Sequence, residues 1–137
     1  MKICVSAAAN SLDAPIDPRF GRCPYFVIVD SETMQFEAVP NMASGAMGGA
    51  GIQAAQTIAN KGIKVLITGN VGPNAFQALS AAGIKIVTGA SGTVREVVEK
   101  YKRGELSETG APTVRGHFGM GTGRGSGRGR KDRGRLA

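Results

Sequence analysis

The sequence has no tryptophan, its aromatic residues amount to 5%, and its 137 residues include one histidine and two cysteines. Each scarcity excludes something. Aromatics this sparse leave the interior to aliphatic and alanine side chains. Cys4 and Cys23 form no CxxC pair and no zinc spacing, and a disulfide between them is not expected in a reducing compartment. The one histidine, His117, lies near the C-terminus, so neither HExxH zinc chemistry nor a Ser-His-Asp set has its base in the first 110 residues. The nucleophile elbow and the phosphate-binding GxxxxGK[ST] are also missing, which leaves ATP hydrolysis without support. No apolar run is long enough to span a bilayer. "MKICVSAAAN" breaks off at Asn10 and makes a poor signal-peptide core, so it is read as a central strand of a cytoplasmic protein.

Positive charge is present but unevenly placed. The net charge of +7 suggests nucleic acid until it is divided along the chain. Residues 1–110 hold ten Lys/Arg against nine Asp/Glu, whereas residues 111–137 hold seven against one. The body is almost neutral. The segment from about 107 onward is rich in Gly and Arg, lacks the apolar content to offset its ordering entropy, and is expected to be disordered. The expected organisation is a domain over 1–106 and a basic Gly/Arg tail over 107–137.

Within the body the apolar pattern alternates between strand and helix. "KICVSAAA" reads as a first strand, 9–23 as a long loop, and "YFVIVD" (25–30) and "QFEAVP" (35–40) as a hairpin. "GIQAAQTIANKG" (51–62) is helical, with Ile52, Ala55, Ile58 and Ala59 on one side and Gly62 suited to its C-terminal cap. A weak internal repeat comes next, "GIKVLITGNVG" (62–72) and "GIKIVTGASG" (83–92), each an apolar strand running into a Thr-Gly turn. A helix opened by Pro73 lies between the copies. After the second copy, Thr93 and Glu96 stand at capping-box spacing before an amphipathic helix carrying Val94, Val97, Val98 and Tyr101. Right-handed crossovers between parallel strands then give a three-layer α/β/α domain on a five-stranded mixed sheet.

Ligands of such sheets bind beyond the carboxyl ends of the parallel strands. Three segments are expected to meet there: the loop 9–23, "TGNVGPNAF" (68–76) and "TGASGTV" (88–94). Backbone N–H groups at the helix N-termini, with Arg19 and Arg22 from the loop, describe an anion-accepting cleft. Cys23 lies beside both arginines, which favour a thiolate, while Cys4 is read as a small core hydrophobe. Asp13, Asp17 and Asp30 are the only carboxylates placed to cluster on a metal. Asp30 is a strand's length, about 17–20 Å, from Cys23, so two-metal nuclease chemistry is not expected, and Asp13 and Asp17 are read as turn residues. Met42 and Met47, in "MASGAMGGAG", are read as loop spacing rather than soft ligands.

"DPRFGRCPYFVIVD", "GAGIQAAQTIANKGIKVLITGNVGPNAFQALSAAGIKI" and "GTVREVVEKYKRGEL" together resemble the dinitrogenase iron–molybdenum cofactor biosynthesis family. That family includes small stand-alone proteins and the carrier domains of nitrogenase assembly. The resemblance spans nearly all of residues 1–106 and implies a ribonuclease H-like fold with sheet order 3-2-1-4-5 and strand 2 antiparallel. It also implies a non-catalytic carrier of an anionic metal–sulfur cluster, iron–sulfur or molybdenum-containing, working between cluster donor and acceptor proteins. Arg19, Arg22, Cys23, Asn70, Gly72 and Asn74 are then the cluster-facing residues, with Cys23 as the metal ligand. Some carriers of the family use a histidine ligand, and residues 1–106 contain none. The alternative is a nucleic-acid-associated protein whose weak, sequence-blind contacts come from the tail.

Overall fold

The computed structural model describes residues 1–45 and 49–113. Five strands, β1 (Lys2–Ala7), β2 (Tyr25–Asp30), β3 (Phe36–Pro40), β4 (Val65–Ile67) and β5 (Lys85–Val87), form one sheet in the order β3-β2-β1-β4-β5. β2 runs antiparallel to both β1 and β3, and β4 and β5 run parallel to β1, as the sequence pattern and the family resemblance require. Three helices, α1 (Ala50–Ala59), α2 (Pro73–Ala81) and α3 (Val94–Lys102), complete the element order.

Side-chain alternation along β1 explains the layering, because successive residues of a strand point to opposite faces. Cys4 joins Phe26, Ile28, Leu66 and Ile86 beneath Ala54, Ala55 and Ile58 of α1 and Leu79 of α2. Ile3 and Val5 join Val27, Val29, Val65 and Ile67 on the other face, beneath Val94, Val97 and Val98 of α3. Cys4 is fully buried, as expected of a small core hydrophobe. Ile52 departs from the expected apolar stripe. Ala54, Ala55 and Ile58 face the sheet, while Ile52 stays 37% exposed at the N-terminal end of α1.

The two copies of the repeat open alike. Gly62 and Gly83 adopt φ of 74° and 79° after α1 and α2, the left-handed conformation that glycine reaches without a Cβ penalty. α3 starts with the expected capping box: Thr93 Oγ1 accepts from Glu96 N at 3.2 Å, and Glu96 Oε1 accepts from Thr93 N at 2.8 Å.

Beyond the expected boundary at 106 the chain is still bonded to the body. Thr109 N donates to Ile86 O at 2.6 Å and Thr109 Oγ1 accepts from Thr88 N at 3.1 Å. Thr113 N donates to Val71 O at 3.0 Å and Thr113 Oγ1 accepts from Val71 N at 2.9 Å. Met47, His117 and the tail cations from Arg115 to Arg135 lie outside the described residues, as does the disorder expected of most of 107–137. Among the described residues no helix is long and apolar enough to cross a membrane.

Candidate functional site: a cleft between two helix N-termini

The loop between β1 and β2 is pinned before it reaches the site. Ile16 bridges to Ala7, and Asp17 N donates to Ser6 O at 2.8 Å. Below it, the buried Ser6 hydroxyl lies 2.6 Å from Asp17 O and 2.7 Å from the buried Thr68 hydroxyl, so the loop is tied to the ends of both β1 and β4. Phe20 drops into the core against Phe26, ring centroids 5.4 Å apart, and the loop turns back over it.

Three glycines allow the backbones to close in. A Cβ on Gly69 would stand 2.5 Å from Pro18 Cβ and 2.6 Å from Pro18 Cα, so only glycine lets the loop lie across the turn after β4. There Asn70 N donates to Pro18 O at 2.8 Å, and Arg19 and Asn70 form a parallel bridge. A Cβ on Gly21 would meet Gly51 N at 2.9 Å, and one on Gly51 would meet Ala75 Cβ at 3.0 Å. The loop, the start of α1 and the start of α2 are thus held in mutual contact.

They enclose a cleft of about 440 Å³ lined by Arg19, Arg22, Asn70, Gly72 and Asn74 together with the first turn of α1. Among the described residues, its lining includes no aspartate or glutamate. Neither N-cap residue, Gly49 or Gly72, supplies a side-chain cap, and neither helix has an acid in its first turn. The leading N–H groups of α1 and α2 have no intrahelical acceptor, and both helix dipoles add positive potential at the same opening. α3 offers a contrast within the same chain, since its N-terminus is closed by its own Glu96.

Arg19 is braced as well as exposed. Its Nε donates to Asp17 Oδ1 at 3.0 Å and its Nη2 to Asp17 Oδ2 at 2.8 Å, while its backbone N donates to Oδ1 at 2.9 Å. The Arg19 side chain is 64% exposed and the Asp17 side chain 7%. The Arg19 hydrogen bonds hold the Asp17 carboxyl below the usual carboxylate range. A planar guanidinium gripped along one edge presents its remaining N–H groups in a fixed direction. Asp17 is therefore more than the turn residue read from sequence. Arg22 Nη1 donates to Ser44 O at 2.9 Å, which ties the start of the β3–α1 connection to the cleft wall.

Cys23 requires a correction. It is fully buried, donates its thiol to Phe20 O at 3.3 Å, and does not line the cleft. Burial, seconded by the charge of Asp17, pushes its pKa from 9.0 to about 12, so it is a protonated thiol at neutral pH. The expectation of a thiolate favoured by Arg19 and Arg22 fails because the turn folds Cys23 inward, under Asn41, whose Nδ2 donates to Cys23 O at 2.9 Å and Gly21 O at 3.1 Å. Among the described residues no group of three His, Cys, Asp or Glu side chains converges to hold a metal.

The three loops do meet at this edge, where Ile16 N donates to Gly92 O at 2.9 Å and Gly89 N to Gly69 O at 2.8 Å, but they do not share one cleft. "TGASGTV" does not reach this cleft. Ala90–Thr93 line a separate one with Pro15, Ile16 and Pro18, because α3 crosses to the opposite face of the sheet from α1 and α2. The third wall of the Arg19 cleft comes from residues 49–52, whose only sequence signal was the run of small residues opening α1.

Comparison with known proteins agrees with the fold. The model of the dinitrogenase iron–molybdenum cofactor family matches residues 1–104. The orange protein of Desulfovibrio gigas, solved in its apo form, shares 46% identity at a TM-score of 0.80, covering 82% of this chain and 95% of that one. A Thermotoga protein described as a candidate NifB protein shares 36% identity at a TM-score of 0.69, covering 78% and 91%. An uncharacterised protein of Methanocaldococcus jannaschii is 32% identical over 111 residues, 79% of this chain and 91% of its own. On these grounds the chain belongs to the dinitrogenase iron–molybdenum cofactor family.

Proposed function

We propose that the protein binds an anionic metal–sulfur cluster, iron–sulfur or molybdenum-containing, in the cleft between α1 and α2. It carries that cluster from donor to acceptor proteins of cluster biosynthesis without transforming it. The observation that carries this reading is the convergence of two helix N-termini without side-chain caps and two arginines on an opening whose described lining holds no carboxylate. A cluster of sulfide-bridged metals is a large, soft anion, and guanidinium and backbone N–H groups suit its terminal sulfur or oxygen atoms. Family membership supports the choice of anion, and so does a relative solved in an apo form.

Retention stems from the donor set. Arg19, fixed by Asp17, and Arg22 supply charge, and the first-turn N–H groups of α1 and α2 supply directional hydrogen bonds. Asn70 and Asn74 offer side-chain amides at the rim, and Gly72 keeps the entrance to α2 clear of a side chain. With Cys23 sealed away, cargo is held by its outer atoms and not through protein–metal bonds, which suits a protein that must release it. The ribonuclease H-like classification is supported by the sheet order, and nuclease chemistry is not part of this proposal, because among the described residues no three carboxylates converge. A cytoplasmic location and a body-plus-tail organisation belong to the same proposal.

Anaerobic purification with metal analysis, then reconstitution with tetrathiomolybdate or with iron and sulfide, tests the reading. A visible absorption band with stoichiometric metal is expected. A colourless protein that takes up neither contradicts it.

A further inference from the structure

Neither the core nor the helix accounts for Ile52. The sheet-facing side of α1 is made by Ala54, Ala55 and Ile58, and Ile52 stands off it, 37% exposed. It is the third residue of its helix, the position at which α3 carries Glu96 to close its own N-terminus. A β-branched apolar side chain supplies no cap there and leaves apolar surface in water. What it does is line the cleft.

Much of the lining shares that character. Phe20, Ala50, Pro73 and Ala75 border the cleft with Ile52. Among the described residues the lining holds no serine, threonine, tyrosine or lysine, and its polar side chains are Arg19, Arg22, Asn70 and Asn74. Pro73, the first residue of α2, also removes one of the N–H groups that a helix N-terminus otherwise offers. The cleft therefore has charge to attract a dianion, and apolar carbon where a phosphate site would place hydroxyls. An oxyanion is strongly hydrated, and each oxygen turned toward Ile52 loses water without gaining a donor. A terminal sulfur is a weak acceptor and a polarizable atom. It gives up less on leaving water and gains dispersion contact with the methyl groups.

We propose that Ile52 is a specificity-determining residue of the α1–α2 cleft: with the apolar groups around it, it selects an anion surfaced with sulfur over an oxyanion of the same shape and charge. This rests on the cluster-carrier reading above and narrows its cargo to thio-anions and sulfide-surfaced clusters. Selectivity is a difference of two affinities, and an apolar wall works on both, favouring the soft ligand and leaving the hard one short of donors. Arg19 and Arg22 attract either anion and set the affinity. Ile52 sets the preference.

Tetrathiomolybdate and molybdate are tetrahedral dianions of the same metal that differ in bearing sulfur or oxygen. Both are titrated anaerobically into the full-length natural chain, Ile52→Val and Ile52→Thr. Valine and threonine share a branched shape and differ in a methyl against a hydroxyl, so the pair isolates polarity. The natural chain is expected to bind tetrathiomolybdate at least about tenfold tighter than molybdate. That ratio should be about fivefold smaller in Ile52→Thr than in Ile52→Val, because the hydroxyl hydrates the wall and offers oxygen a donor. Both affinities are read on the same protein, so a loosened fold lowers both and cancels from the ratio. Ile52→Gln is a second polar variant should Ile52→Thr fail to fold. Equal ratios in Ile52→Val and a folded polar variant refute the role of Ile52. A natural chain that binds molybdate as tightly as tetrathiomolybdate refutes the selectivity and leaves the anion cleft standing. A natural chain that binds neither overturns the carrier reading, and this inference with it.

Discussion

Gly69→Ala is the sharpest structural perturbation of the cleft. The position does not adopt a left-handed φ, so an alanine backbone is allowed there and the added methyl alone decides the outcome. That methyl would lie 2.5 Å from Pro18 Cβ, 2.6 Å from its Cα and 3.1 Å from its carbonyl oxygen. These are ring and backbone atoms that cannot swing aside, so the loop must lift. Lifting weakens the 2.8 Å bond from Asn70 N to Pro18 O and displaces Arg19 from its bridge to Asn70. Overpacking costs about 1–3 kcal/mol and a lost hydrogen bond about 1 kcal/mol, a total of ~2–4 kcal/mol. With a urea m-value of about 1.5 kcal/mol/M, the midpoint falls by roughly 1.3–2.7 M. Urea unfolding monitored by circular dichroism reads this, with Gly45→Ala as a control, since its Cβ meets nothing within 4 Å. Cargo affinity measured on the folded fraction should fall as well. A Gly69→Ala protein with natural stability and natural affinity refutes the close approach as the device that sets Arg19 on the cleft.

Cys23, with its pKa at about 12, should resist thiol reagents at pH 8 in the native protein, and Cys23→Ser should keep its cargo; rapid labelling or loss of the visible band contradicts its buried placement. Burial raises both thiols, Cys4 included, and an unfolded thiol ionises first, so stability should decline as pH climbs from about 9 toward 12. Replacing both cysteines with alanine should flatten that alkaline limb. Asp17 is shifted the other way by Arg19, so its contribution is present above the unfolded carboxylate value, near ~4, and is lost as pH falls through the lower folded one. Asp17→Asn should therefore be less stable than the natural protein at pH 7 and converge with it in acid, as read by denaturation midpoints across pH. Thr93→Ala removes the capping box of α3 and should cost ~1–2 kcal/mol while leaving cargo affinity unchanged, because α3 lies on the opposite face from the cleft.

Strand periods, the repeat and the capping box were legible in the sequence because each is a local pattern with a local cause. Gly62 and Gly83 reflect the need to end a helix, and Thr93 with Glu96 the need to start one. The family resemblance added strand order, which no local signal carries. Arg19, Arg22, Asn70, Gly72 and Asn74 line one cleft because loops at the carboxyl ends of parallel strands converge. What failed depended on which way a side chain turns, or on which face a helix takes. Cys23 comes directly after Arg22, yet the turn that presents Arg22 directs Cys23 into the core. "TGASGTV" copies "TGNVGPN" in pattern but leads into a helix on the other face. Gly21, Gly51 and Gly69 looked like ordinary loop glycines, because close approach of two backbones distant in sequence leaves no trace in either stretch alone. Thr109 and Thr113 were absorbed into a tail defined by composition, though two well-placed hydroxyls outweigh a poor apolar content over so short a strap.

The central claim is that an anionic cluster is held in the cleft by charge and backbone donors, with no protein–metal bond. Anaerobic titration of tetrathiomolybdate into the natural chain, the Arg19→Ala, Arg22→Ala variant and Cys23→Ser tests it most directly. The account predicts at least about tenfold weaker binding for the double arginine variant, with its fold intact by circular dichroism, and unchanged affinity for Cys23→Ser. Equal affinity in the arginine variant and the natural chain, or loss of binding in a folded Cys23→Ser protein, contradicts it.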